Sequence, residues 1–142
     1  MASQQAECEF DLSATDLWDL IGDFGDMEKW SGKSSGSCVA EGEGIGALRT
    51  ITMRNGGEIV DRLDALGEFT YSYSIVTSPL PLKTYRATMT VEPLGDAKSK
   101  LTWSGEFEPA GISDEEARAL VAGMYNYGIG LMNETVARLA ND

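Results

Sequence analysis

The chain has 142 residues, 42% of them apolar, with 23 acidic against 11 basic side chains and a net charge of −12. That length builds one domain with its own core, and the acidic excess argues against a protein that grips nucleic acid or an anionic membrane surface through basic residues. The complete lack of histidine removes the commonest general base, the commonest metal ligand and every Ser-His or Cys-His nucleophile pair, so any catalysis must run on carboxylate, tyrosine, lysine or arginine chemistry.

In chain order, Ala6–Leu12 alternate loosely and read as a first strand. Ser13 then offers an N-cap to a short helix carrying Leu17, Trp18, Leu20 and Ile21, which Gly22 ends. Phe24–Trp30 reads as a second short helix with Phe24, Met27 and Trp30 on one side, and Ser31-Gly32-Lys33-Ser34-Ser35-Gly36 as a loop. Six strands follow at Ser37–Glu41, Gly46–Met53, Glu58–Leu66, Glu68–Val76, Lys83–Pro93 and Lys98–Pro109. Turn signals separate them: Glu43-Gly44, Asn55-Gly56-Gly57, Gly67, Pro79-Leu80-Pro81 and Gly95-Asp96. Connections this short predict an antiparallel meander.

The last element is a long helix from Ser113 to about Ala140. Ser113-Asp114-Glu115-Glu116 has the form of a capping box. Leu120, Val121, Met124, Tyr127, Leu131, Met132, Val136 and Leu139 recur at the spacing of one helical face. Gly123, Gly128 and Gly130 interrupt it, each at a cost of about 1 kcal/mol relative to alanine. With Tyr125 and Tyr127 beside them, these glycines predict a helix lying over a cavity. No linker or repeat divides residues 1–142. The expected architecture is α+β: a seven-stranded curved antiparallel sheet wrapped around the C-terminal helix, two short helices between its first two strands, and a pocket between sheet and helix.

Cys8 and Cys38 have neither metal-motif nor redox spacing and sit in strand-like segments, where buried reduced thiols are ordinary. Met1–Glu9 lacks the basic region and apolar run of a signal peptide, and no stretch reaches the ~18–20 apolar residues of a membrane span. A cytoplasmic location is expected. Gly44-Ile45-Gly46 precedes a strand and lacks a downstream lysine, so it is no phosphate loop.

The ordered set of local sequences sharpens the reading. It comprises Trp18 with Gly22-Asp23-Phe24 and Trp30; Gly44-Ile45-Gly46-Ala47-Leu48-Arg49; Gly57 through Asp61-Arg62-Leu63; Tyr73-Ser74-Ile75-Val76; Pro79-Leu80-Pro81; Tyr85-Arg86-Ala87-Thr88; and Trp103 to Phe107 with Pro109. From Cys8 to Leu139 the chain resembles the helix-grip fold of START-like lipid-transfer domains, the major birch-pollen allergen and the plant abscisic-acid receptors. Within it, the chain is similar to the bacterial polyketide cyclase/dehydrase-like branch of the SRPBCC superfamily. One position departs from that pattern: related sequences often follow the tryptophan with histidine and proline, where Ser31-Gly32 stands here. A role for that histidine is absent or reassigned. The resemblance implies binding of a lipid, hormone or polyketide, and catalysis in only some members.

Asp61 is the first candidate for chemistry. Strand alternation puts it on one face with Ile59 and Leu63, and it resembles a pocket-facing acid in the abscisic-acid receptors. Inside an apolar cavity its pKa would rise, fitting it as a general base or ligand anchor; the alternative is a structural salt bridge to Arg49 or Arg86. Tyr85 shares a face with Ala87, Met89 and Val91, and Tyr73 with Phe69, Tyr71 and Ile75. Either hydroxyl could orient a ligand carbonyl or hydroxyl, or simply be satisfied within a packed core. Arg49 follows the same stripe as Ile51 and Met53, where it would pair with Asp61 or hold a ligand carboxylate. A register shifted by one makes it a surface charge, which is the favoured expectation. Thr102, Ser104 and Glu106 occupy one face of the last strand and Trp103, Gly105 and Phe107 the other, with the inward face left open.

The candidate catalytic residues are thus Asp61, Tyr85 and Arg49. The candidate ligand-binding residues are Trp30, Ile59, Leu63, Tyr73, Met89, Met124, Tyr127 and Leu131. Trp30, beside Met27, is a pocket floor or lid, or core. Pro79-Leu80-Pro81 is a stiff tip near the cavity mouth. The leading expectation is a protein, monomer or homodimer, that binds a small hydrophobic aromatic, polyketide or isoprenoid-like molecule, with no nucleic-acid partner, no membrane insertion, no metal and no cofactor. A cofactor-independent cyclase/dehydratase would instead use Asp61 as general base and a tyrosine or arginine to stabilise the oxyanion. A third possibility is a module whose proline loop closes to make a partner surface.

Overall fold

The computed structural model describes residues 1–32 and 36–140; Lys33, Ser34 and Ser35 of the expected serine-rich loop lie outside the described residues. The elements run β1 (Ala2–Phe10), α1 (Ala14–Ile21), α2 (Glu28–Ser31), β2 (Ser37–Glu41), β3 (Leu48–Thr52), β4 (Glu58–Gly67), β5 (Thr70–Thr77), β6 (Leu82–Gly95), β7 (Lys98–Pro109) and α3 (Asp114–Ala140). All strands join one antiparallel sheet of seven in the order β1-β7-β6-β5-β4-β3-β2. Short hairpins account for every neighbour pair but one. β1 closes the sheet against β7, from Ala2 opposite Phe107 to Phe10 opposite Ser99. That full-length pairing carries the first strand to Ala2, four residues before the alternation signal begins.

Local chemistry places the helices. The Ser13 hydroxyl accepts from the Asp16 amide at 3.1 Å, and the Gly22 amide closes α1 on the Trp18 carbonyl at 2.7 Å. The second helix is shorter than Phe24–Trp30, because Asp23 builds a turn instead: its side chain accepts from the Gly25 amide and its carbonyl from the Asp26 amide. At the start of α3, the Ser113 amide donates to Glu116 and the Glu116 amide to the Ser113 hydroxyl, both at 3.1 Å. This is the reciprocal capping box.

Helix α3 packs against β1, β7 and α2. It therefore covers one side of the concave sheet, and β3 to β6 curve away from it to leave a space. Its apolar residues fall on two stripes rather than one. Ala117, Val121, Tyr125, Gly128, Met132 and Thr135 are buried, while Met124, Tyr127 and Leu131 turn toward the space. Leu139 is exposed. The three glycines also divide. A Cβ on Gly128 would meet Trp103 Cζ3 at 2.8 Å, whereas one on Gly123 or Gly130 would meet nothing within 4 Å. Close approach explains Gly128 alone; nothing in the structure explains the other two. No helix of the described residues is long and apolar enough to cross a membrane.

Candidate ligand cavity

Between α3, α2 and the concave face of β3 to β7 lies a cavity of about 190 Å³. Its wall is aromatic and aliphatic: Trp30, Tyr71, Tyr73, Tyr85 and Trp103 line it with Ile51, Ile59, Ile75, Met89 and Leu131. Three half-buried methionines, Met27 just before α2, Met53 just after β3 and Met124 on α3, complete the lining with Tyr127, which is 55% exposed. Such side chains adapt to the shape of an occupant.

Arg49 and Asp61 are the charged residues in this wall, and they neutralise each other. They are paired residues across β3 and β4. Asp61 Oδ2 accepts from Arg49 Nη2 at 2.7 Å and Nε at 3.1 Å, while Nη1 donates to the Phe24 carbonyl at 3.2 Å. The guanidinium also lies 4.2 Å from the Phe24 ring centroid and 5.0 Å from that of Tyr73, within cation–π range. Arg49 is 3% exposed, so the surface placement favoured from sequence is wrong. An inward arginine is tolerated because a carboxylate, a carbonyl and two rings receive it. Burial alone would lower its pKa, but Tyr71, Asp61 and Tyr73 reverse that and keep it charged. Burial pushes the Asp61 carboxyl up, opposed by the charge and hydrogen bonds of Arg49. Asp61 Oδ1 is buried and has no hydrogen-bond partner among the described residues.

The second polar feature is a chain of hydroxyls. Trp103 Nε1 donates to Tyr73 Oη at 3.2 Å, Tyr73 and Tyr85 hydroxyls stand 3.5 Å apart, and Tyr85 and Tyr125 hydroxyls share a bond of 2.7 Å. Trp103 stacks on Tyr125 with centroids 4.5 Å apart. Gly105 makes room for this contact, since a side chain there would collide with the Tyr125 hydroxyl. Burial raises the pKa of Tyr73, Tyr85 and Tyr125, that of Tyr125 to about 12.

Of the eleven sequence candidates, ten line the cavity: Arg49, Asp61, Tyr85, Trp30, Ile59, Tyr73, Met89, Met124, Tyr127 and Leu131. Leu63 does not. It shares its face with Asp61, but two residues further along β4 it passes beneath Phe24 and Ala47 and lines a separate recess with them. Pro79-Leu80-Pro81 is absent from the cavity lining, and Leu80 packs against the core. The open choice on β7 resolves with Leu101, Trp103, Gly105 and Phe107 inward.

Among the aromatic residues of the cavity wall and its hydroxyl chain, Tyr71, Trp103 and Tyr125 escaped the sequence candidates. A signal existed for each, since Tyr71 shares its alternating face with Tyr73 and Ile75. Leu101, Trp103 and Phe107 form the more apolar alternating set on their strand, and Tyr125 lies four residues from Val121 and seven from Met132. Trp30 is both core and wall. Its ring meets Trp103 edge-on at 6.4 Å, its carbonyl lies 2.9 Å from the Thr135 hydroxyl, and its Nε1 has no partner among the described residues.

Solved structures share this architecture along the whole chain. The protein XoxI from Bacillus cereus is 30% identical, with 99% of each chain covered and a TM-score of 0.89. A protein from Bacillus thuringiensis is 29% identical over 96% of this chain and 99% of its own, with a TM-score of 0.85. A START superfamily protein from Mycobacterium smegmatis is 12% identical over 98% and 99%, with a TM-score of 0.82, a likeness of fold. No curated protein sequence matches the chain. Residues 1–137 match the profile of the polyketide cyclase/dehydrase and lipid transport family, and the chain belongs to that family.

Proposed function

We propose that the protein binds one small, neutral, mostly apolar molecule in the cavity between sheet and α3. The observation that carries this reading is an aromatic-walled cavity of about 190 Å³ whose two charges cancel internally. A dry cavity of roughly 150 Å³ accommodates benzene, and drug-sized ligands take about 300–1,000 Å³. The volume therefore suits one or two rings, or a short isoprenoid, rather than a two-chain lipid. Ile59, Met89, Met124, Tyr127 and Leu131 would supply apolar contact. Tyr73, Tyr85, Asp61 and Arg49 would orient its polar group.

Native mass spectrometry of the purified protein, followed by extraction of what it carries, tests the proposal. A molecule of one or two rings, or a short isoprenoid, retained until denaturation and raising the melting temperature when added back, supports it. A protein that arrives empty and whose melting temperature responds to no ring compound of that size overturns it.

A second reading is favoured by the unpartnered Oδ1 of Asp61. Arg49 holds one carboxylate oxygen and leaves the other for a substrate, so Asp61 could take a proton from the carbon next to a carbonyl. The C–H bond would break, the proton would pass to the carboxylate and the charge to an enolate oxygen. Incubating protein and a cyclic ketone in deuterated water, with mass spectrometry of the ketone, tests this. Exchange above background that Asp61→Asn abolishes supports catalysis; exchange that survives in Asp61→Asn excludes that role.

A further inference from the structure

We infer that Tyr73 and Tyr85 together form a two-hydroxyl donor site for a single acceptor oxygen on the ligand, a carbonyl oxygen of a small ketone, aldehyde, quinone or lactone. The inference rests on the cavity reading above and adds the chemical class of the occupant.

A count of protons carries it. The indole Nε1 of Trp103 can only donate, and it donates to Tyr73. Tyr125 is fully buried and outside the cavity lining, and its hydroxyl has one hydrogen-bond partner among the described residues, Tyr85. A buried hydroxyl proton without an acceptor is costly, so Tyr125 donates to Tyr85. Two donors thus converge from outside on the Tyr73–Tyr85 pair. Each of these oxygens has already accepted a bond, and each still carries its own proton.

Between them lies a single separation of 3.5 Å, longer than the roughly 2.5–3.0 Å of a good O–H···O bond. It can absorb one proton at most, and poorly. At least one O–H remains for the cavity that both residues line. An oxygen seated across the gap, at ordinary hydrogen-bond distance from both, receives the two protons at once. Burial keeps both hydroxyls protonated across the physiological range, so the site always offers donors. Trp103 and Tyr125 are positioning residues: they set the direction in which the inner hydroxyls point.

The test compares 1-tetralone with tetralin, the same bicycle without the carbonyl, by calorimetric titration and by the infrared carbonyl band of bound tetralone. The wild-type protein should bind 1-tetralone about tenfold more tightly than tetralin, as two neutral hydrogen bonds allow, with the band shifted to lower frequency. Tyr73→Phe and Tyr85→Phe should each cut that preference about threefold and shift the band part of the way back. Tyr125→Phe, at a residue that does not itself line the cavity, should weaken the preference and move the band. Near-ultraviolet circular dichroism identifies any variant that does not fold, and the remaining variants and the wild-type band then decide. Equal affinity for the two probes, with the carbonyl band where it lies in hydrocarbon solvent, overturns the donor pair and leaves the cavity reading standing. Binding of neither probe by the folded protein overturns the cavity reading for ligands of this size and the donor pair with it.

Discussion

Arg49 and Asp61 face each other across β3 and β4 and meet at 2.7 Å, 4% and 2% exposed in their side chains. Removing one partner from such a pair leaves a buried charge with no compensation. Arg49→Met should cost about 3–5 kcal/mol in urea unfolding, while Arg49→Met with Asp61→Leu should recover most of that loss. A single substitution costing less than about 1 kcal/mol would show that the pair contributes nothing to the fold.

The α3 glycines should respond in opposite directions. Gly123→Ala and Gly130→Ala add a methyl group into open space and should each stabilise by about 0.5–1 kcal/mol, through helix propensity and the unfolded chain. Gly128→Ala puts a Cβ 2.8 Å from Trp103 Cζ3 and should destabilise. Thermal melts of the three variants separate the two classes by sign alone.

Alkaline pH should unfold the protein through its buried phenols. Burial raises the pKa of Tyr71, Tyr73 and Tyr85, and pushes Tyr125 up to about 12. The unfolded chain releases these protons near pH ~10, so between about 10 and 12 it binds fewer protons than the folded state and stability falls as pH rises. Below that window these groups add no slope. Urea midpoints followed against pH, with phenolate absorbance, should show the buried tyrosines ionising together with unfolding. Tyr73→Phe should flatten the decline.

The capping box predicts the opposite sign at acid pH. Its hydrogen bonds from the Ser113 amide and hydroxyl hold the Glu116 carboxyl below its ordinary value. Its contribution is therefore complete above the unfolded pKa of about 4.3 and is lost as pH falls. Glu116→Gln should lose less stability than wild type between about pH 5 and pH 3. Amide exchange at the first turn of α3 should quicken on acidification in wild type more than in the variant.

Much of this molecule can be read from short stretches of chain. Ser37–Glu41 and Lys98–Pro109 form strands over the spans that their turn signals mark, and Ser13, Gly22 and the Ser113–Glu116 box act as caps where their spacing puts them. Asp61 was legible as inward because Ile59 carries it there by alternation. Arg49 was not. A charge on an apolar stripe is tolerated only when a partner stands opposite, and that partner appears only with the register of β3 on β4.

Capping, alternation and turn chemistry act within a few residues, so the sequence by itself determined the elements, their order and the apolar faces that make a sheet grip a helix. Only the tertiary structure decided what the grip encloses. The bonds of the hydroxyl chain join Trp103 to Tyr73, Tyr73 to Tyr85 and Tyr85 to Tyr125, partners 30, 12 and 40 residues apart. Sheet curvature and the seating of α3 on β1, β7 and α2 bring them together. The same packing sends Tyr125 into the core and leaves Tyr127 at the rim, because two stripes on one helix face two different surroundings.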